Sequence, residues 1–357
     1  MRWYKTVLAC VMVCVTAGIT QTALASGPPS APYATFLTPD HNWVDALAYS
    51  PDGKTVAVAS INELFSSTGV TYKGGHTYLW NVSGGAVTRH KFTTLSDPGG
   101  KGVLHVVFSP DGKYLAVGDA NATTYVWNVS RRTLVATVSD PGTDGVAGIA
   151  FGLHDTLLTA DANGAAFQWD IPAGGSVAAL TTPAATFAGP SGQGLFSIAV
   201  SPNRQTMALG SSNGHTYLWN IGTQTMTASL AEPASKGVIT VAFGGRNGSL
   251  LAAGDLSGQT YLWNVATSRL TGVLRAPGTA QHVQSLAFNQ AGTILAAGDS
   301  YGHVYVWKAA SRTLLASLQY PGERGVFDAA FSPSGTTIAA GDTNGHASLW
   351  NASWLPR

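Results

Sequence analysis

Apolar positions along this chain fall in short runs separated by tight turns, and one run is written again and again. Thr77-Tyr78-Leu79-Trp80-Asn81 has counterparts ending at Trp127, Trp169, Trp219, Trp263, Trp307 and Trp350, with successive spacings of 47, 42, 50, 44, 44 and 43 residues. A unit of this length closed by Trp-Asn or Trp-Asp predicts the blade of a β-propeller. Each unit holds four apolar pieces, here lettered a to d. In the second they cover residues 103–108, 114–118, 124–128 and 134–138. The turn Ser109-Pro110-Asp111-Gly112 joins a to b, with Pro at its second position and Gly where positive φ is needed; Ser50-Pro51-Asp52-Gly53 and Ser332-Pro333-Ser334-Gly335 repeat it. Short connections throughout predict antiparallel meanders.

The same pattern orders the strands in space. Runs b and c lack polar alternation, which is expected where one sheet is sandwiched between two others. Run d is more polar, as in Thr93-Thr94-Leu95-Ser96, and belongs at the outer rim. Run a carries a small residue at its fifth position (Ala48, Val107, Ala150, Ala199, Ala242, Ala287, Ala330), as crowding near a central axis requires. Only seven residues follow Trp350, too few for a further outer strand, whereas Thr35-Phe36-Leu37-Thr38-Pro39 near the start matches the d runs. Residues 34–38 are therefore expected to complete the last blade beside residues 347–351. The fold class is all-β, a propeller of seven four-stranded antiparallel blades closed by its N-terminal strand.

Composition separates off the beginning. Arg2 and Lys5 precede an apolar stretch over residues 7–19, and Ala23-Leu24-Ala25 offers small residues for cleavage before Ser26. This divides the chain into a signal peptide (1–25), an extended linker (26–33) with Gly27-Pro28-Pro29-Ser30-Ala31-Pro32, and a propeller (34–357). The location implied is secreted or extracytoplasmic. The alternative is membrane anchorage through the same segment left uncleaved. Cys10 and Cys14 leave with the signal, so the mature chain has no disulfide or reactive thiol. Taking Arg2 and Lys5 from 19 basic residues leaves 17 against 18 acidic ones, a balance that argues against a nucleic-acid surface.

Irregularities in the repeat mark candidate recognition residues. From the first residue of run a to the Trp, blades 2 to 7 need 23 to 25 residues, but blade 1 needs 36. The surplus, residues 61–75, contains Leu64, Phe65 and Tyr72 and reads either as a binding loop or as a longer hairpin packing its own apolar residues. Gly precedes run a in five blades, but Trp43 stands there in blade 1 and His282 in blade 6. The second position of run a varies around the ring: Asp45, Leu104, Ala147, Phe196, Ile239, Gln284, Phe327. With His41 and Arg324 from the d to a loops, the candidate partner-binding set is Trp43, His41, Leu64, Phe65, Tyr72, Phe196, His282, Phe327 and Arg324. All belong to one face, the "top", which holds the d to a loops and the b to c turns.

No catalytic, cofactor or metal site is expected. His76, His215, His303 and His346 share one place in the repeat, but equivalent places lie a whole blade apart, roughly 20 Å, too far to share an ion. Gly210-Ser211-Ser212-Asn213-Gly214 spells G-x-S-x-G in a strand-to-strand turn, not the strand-to-helix elbow that motif needs. His105, Asp45 and Asp328 are the only titratable groups at inner strand positions, and a lactonase- or hydrolase-type enzyme would need them to converge.

These repeats resemble the WD40 family over about residues 34–353, in the seven-fold count, the Trp-Asn/Asp ending and the split last blade. The resemblance implies a scaffold, expected to be a monomer, binding a protein or peptide partner. It also implies a hydrogen-bonded set of a loop His, a Ser ending strand b, a turn Asp and the Trp. This chain departs from that set. Its d to a loops lack Gly-His, and strand b ends in Asp119, Asp161, Asp255, Asp299 or Asp342, with Ser60 and Ser211 in the other two blades. These Asp side chains are expected to bond turn N–H groups instead.

Overall fold

The computed structural model describes residues 27–66, 69–72, 74–82, 92–99, 101–141, 145–172, 177–189, 193–245, 247–277, 282–320 and 325–356. The expected signal segment, Arg324 and the side chains of Leu64, Phe65 and Tyr72 lie outside them. Among the described residues there is no helix, and hence none long and apolar enough to cross a membrane.

Seven sheets follow one another, six of four strands and one of five, besides a small two-stranded ribbon. Blade 1 has strands a Trp43–Tyr49, b Thr55–Ile61, c Thr77–Asn81 and d Phe92–Leu95, paired antiparallel in that order. Blades 2 to 6 repeat the order, starting at Val103, Val146, Leu195, Val238 and Val283. Blade 7 consists of Val326–Phe331, Thr337–Asp342, His346–Asn351 and, as its outer strand, Ala34–Leu37 from the other end of the chain. Phe36 stands opposite Ala347 and Ala34 opposite Leu349. Strand a of every blade touches strand a of the next, blade 7 against blade 1 included, so the ring is closed.

Burial explains why b and c are apolar on both faces. Each hydrophobic cluster joins two neighbouring blades: Val44, Val56, Val58, Tyr78 and Trp80 of blade 1 pack with Ala339, Ala347, Leu349 and Phe36 of blade 7. Phe36 is 3% exposed and stacks on Trp80, ring centroids 4.8 Å apart, so the N-terminal strand is cemented to both blades flanking the closure. The small fifth residues of strand a sit in these interblade layers, where the sheets converge; Ala48, Ala199 and Ala330 are examples.

The a to b turns are held by side chains. Ser109 Oγ donates to Asp111 Oδ1 at 2.6 Å and accepts the Tyr114 N–H at 2.9 Å, and Gly112 adopts φ +73°. Ser50 and Asp52 repeat the device. At the corresponding Gly292 (φ +68°) an added Cβ would overlap the backbone of Gly245 in the preceding blade. Gly292→Ala is expected to lower stability by about 2–4 kcal/mol, adding positive-φ strain to overpacking. Denaturant unfolding of the two chains measures it.

Two departures from uniform blades appear. The blade 1 surplus forms a ribbon of Glu63–Ser66 against Gly69–Tyr72, with Phe65 opposite Val70. In blade 3 the connection from c to d sends Ala178–Leu180 back to pair, in parallel, with residues 136–138 on the outer edge of blade 2. That fifth strand covers an edge that would otherwise present unpaired backbone groups.

Candidate functional site

A bulge in every strand a builds the top of the axis. In blade 1, Val44 pairs with Ser60 and Ala46 with Ala59, leaving Asp45 unopposed. The same slip occurs after Val103, Val146, Leu195, Val238, Val283 and Val326. An extra residue without a cross-strand partner bends the strand and re-aims its side chain. The seven variable residues therefore share one wall, and together with the next position they line an axial cavity of about 310 Å³.

Several expected recognition residues gather at this mouth. Phe196 is 39% exposed. Phe327 is half-buried and stacks on Trp43, centroids 6.0 Å apart and planes 22° apart, extending the aromatic wall from blade 7 to blade 1. His41 is exposed at φ 55°, in the left-handed region that few residues besides glycine enter, and His282 is exposed at the end of its loop. The loops and turns of one face are tied together: Thr38 N–H bonds Gly345 O (2.8 Å), Glu232 N–H bonds Gly214 O (3.1 Å), and Tyr320 N–H bonds Gly302 O (2.8 Å). Tyr301 was not singled out by the sequence pattern. It is 54% exposed in the b to c turn of blade 6, where the other described turns place Asn121, Asn163, Asn213, Ser257 or Asn344. Aligning the turns reveals it as the one aromatic among them.

Asp45, His105 and Asp328 line the same cavity. Asp328 accepts the backbone N–H groups of Leu47 (2.9 Å) and Ala329 (2.8 Å), and burial nevertheless pushes its carboxyl up to about 7. Burial pulls His105 down to about 4, so its ring is neutral near pH 7, with a ring N–H facing the Val146 carbonyl. The described bonds of both residues run to backbone, not to a neighbouring nucleophile or base.

Loop anchorage is rewired as the Asp residues suggested. Asp255 Oδ1 accepts the N–H groups of Ser257 and Gln259, both at 2.9 Å; Asp161, Asp299 and Asp342 do the same in their turns, and Asp119 accepts that of Asn121. A second layer went unread in the sequence: the residue before Pro in the d to a loops. Asp97 accepts Trp127 Nε1–H at 2.9 Å; Asp140 accepts Thr159 Oγ1–H at 2.7 Å, which in turn receives Trp169 Nε1–H at 2.9 Å; Glu232 accepts Thr216 Oγ1–H at 2.8 Å. Tyr320 fills this place in blade 7 by donating to the carbonyls of Ala340 and His346. Burial raises Asp97 and Asp140 to about 7 and Glu232 to about 8. The repeated Ser-Asp-Pro-Gly at 96–99 and 139–142 was the available signal. Buried acids thus do the clamping that the loop His does in the resembled repeats.

The turn histidines stay separate from one another. His303 and His346 each face the Asp of their own turn at 3.3 Å, and His303 stacks on Tyr305. Among the described residues no group of three or more His, Cys, Asp or Glu could hold a metal ion.

The family model described as WD domain, G-beta repeat matches residues 90–128, 181–220, 269–308 and 312–351. No curated protein sequence matches the chain. Among solved structures, a chain of "Crystal Structure of Mitotic Checkpoint Complex" superposes with a TM-score of 0.75, over 96% of this chain and 98% of that one, at 18% identity. At that identity the likeness speaks to fold alone. Four of its repeats thus match the WD40 model, in a chain that folds as a seven-bladed β-propeller closed by its N-terminal strand.

Proposed function

We propose that this propeller is an exported, non-catalytic scaffold that captures a protein or peptide partner on its top face. Propellers of this kind are typically interaction platforms. The observation that carries the reading is the bulge ring: seven variable side chains on an otherwise uniform frame, with Phe196 exposed and Trp43 stacked on Phe327. Rigid aromatic groups at the centre of a surface are the usual anchors of protein recognition. His41, His282 and Tyr301 widen the same rim. Export rests on the basic start, the apolar residues 7–19 and Ala23-Leu24-Ala25.

Affinity capture from the source organism, using the exported chain as bait, tests this directly. Trp43→Ala and Phe196→Ala are each expected to weaken retention of a partner about tenfold or more, with melting temperature unchanged. Sequencing the N-terminus of the bait should begin at Ser26. Undiminished capture by both variants would place the interface elsewhere.

A further inference from the structure

We propose that the face opposite the top, which carries the a to b turns and the c to d connections, docks on a membrane surface bearing anionic phospholipid headgroups. The ring then lies flat with its top face turned away. Docking is independent of whether that face holds a protein partner.

The near-even balance of basic and acidic residues conceals a separation along the ring axis. Asp119, Asp161, Asp255, Asp299 and Asp342 close strands b at the top, and Asp97, Asp140 and Glu232 occupy loops there. Among the described residues, Lys101, Lys236 and Arg275 are the only Lys or Arg at that end. The opposite end reverses the sign. Lys54, Lys113 and Arg204 lie in a to b turns, and Arg131, Arg132, Arg269, Lys308 and Arg312 at the c to d connections, against Asp52, Asp111, Asp155 and Asp170. Asp52 and Asp155 are matched by Lys54 (4.0 Å) and Lys113 (3.6 Å). The five basic groups at the c to d connections have no salt bridge to a described acid, and all five are exposed. A strand of six residues such as Val103–Phe108 separates the two ends by about 20 Å. Screening at physiological salt reaches only about 8 Å, so an approaching anionic surface meets the basic end with the acidic one masked.

Apolar side chains decide between a bilayer and a soluble polyanion. Leu153 is 47% exposed in the a to b turn of blade 3, and Phe92, Met226 and Leu270 are exposed at the starts of strands d in blades 1, 4 and 5. All four belong to the basic end. A soluble polyanion offers these groups nothing, whereas a bilayer interface admits short apolar side chains below the phosphates that basic groups engage. Arg131 and Arg132 in blade 2 stand across the ring from Arg269 in blade 5 and Lys308 in blade 6. Contact through both sides at once requires an extended surface, not one headgroup.

Flotation of the exported chain with vesicles tests the docking. Vesicles of phosphatidylcholine containing phosphatidylglycerol are expected to bind it at least about tenfold more tightly than vesicles of phosphatidylcholine alone, with the difference shrinking as salt rises. The variant Arg131→Glu, Arg269→Glu, Lys308→Glu should lose about a hundredfold or more of that affinity, and the same three positions changed to Gln about tenfold or more, with melting temperature unchanged. Lys101→Glu with Lys236→Glu, at the other end, should bind vesicles as the parent does. At constant charge, Leu153→Ser, Met226→Ser, Leu270→Ser should cost about fivefold or more. No gain from phosphatidylglycerol, or undiminished binding by either triple charge variant, overturns the proposal. Undiminished vesicle binding by the serine variant, with heparin retaining the parent and not the charge variants, identifies a soluble polyanion as the ligand and overturns the lipid assignment. Trp43→Ala and Phe196→Ala should keep full vesicle binding, so loss of protein capture and loss of docking are read separately.

Discussion

Phe36→Ala is expected to destabilise the protein by about 3–5 kcal/mol, the usual cost of emptying a buried phenylalanine site. The ring is almost fully buried and lies on Trp80, so its loss opens a cavity between the first and last blades. Deleting residues 27–38 should go further, because Ala34–Leu37 then no longer hydrogen-bonds His346–Leu349 and the last sheet acquires a bare edge. Thermal unfolding that is a single cooperative transition in the intact chain should become broad in the deletion variant. If Phe36→Ala melts with the intact chain, the closure contributes less than its burial implies.

The second large effect is on pH dependence. Asp97 and Asp140 hold their protons to about 7 and Glu232 to about 8, whereas a solvated carboxylic acid releases its proton near 4. Between these values the folded chain binds more protons than the unfolded one, so stability falls as pH rises. The contribution is complete below about 4 and lost on passing through 7 to 8. His105 acts oppositely, since its depressed value favours folding as pH rises from about 4 to the ordinary histidine range. A comparison of pH 6.5 with pH 8.5 therefore isolates the acids. The melting temperature should drop by about 4 °C over that interval. In the triple variant Asp97→Asn, Asp140→Asn, Glu232→Gln the drop should shrink markedly, leaving Asp328 and Asp119, both raised by burial, as the remaining contributors. A flat profile in the parent chain would mean that these loops admit water.

Periodicity made the ring legible because each blade repeats one local solution: a Pro-Gly turn, a strand covered on both faces, and a Trp at the blade interface. The closure was legible too, since counting d runs left Thr35-Phe36-Leu37 as the missing outer strand. What stayed hidden depends on pairing rather than on pattern. The slip that releases Asp45, Phe196 and Phe327 from their ladders exists only between two strands. The parallel pairing of Ala178–Leu180 with blade 2 joins segments that no local turn connects. Asp97 and Glu232 read as ordinary loop acids until their indole and hydroxyl donors come from other strands. Of the candidate rim, Trp43, His41, Phe196, His282 and Phe327 were all suggested by breaks in the repeat, whereas Tyr301 emerged from comparing turns.

Pairing between Thr35 and Ser348 joins residues 313 positions apart, with a hydroxyl-to-hydroxyl bond of 3.0 Å at the seam. A ribosome makes Phe36 among the earliest residues of the propeller and Leu349 among the last, so the seam can form only after almost the entire polypeptide has emerged. Translation products cut short by a premature stop would leave Phe36 without its partner strand, an apolar flag by which the cell's proteases can tell unfinished copies from complete ones.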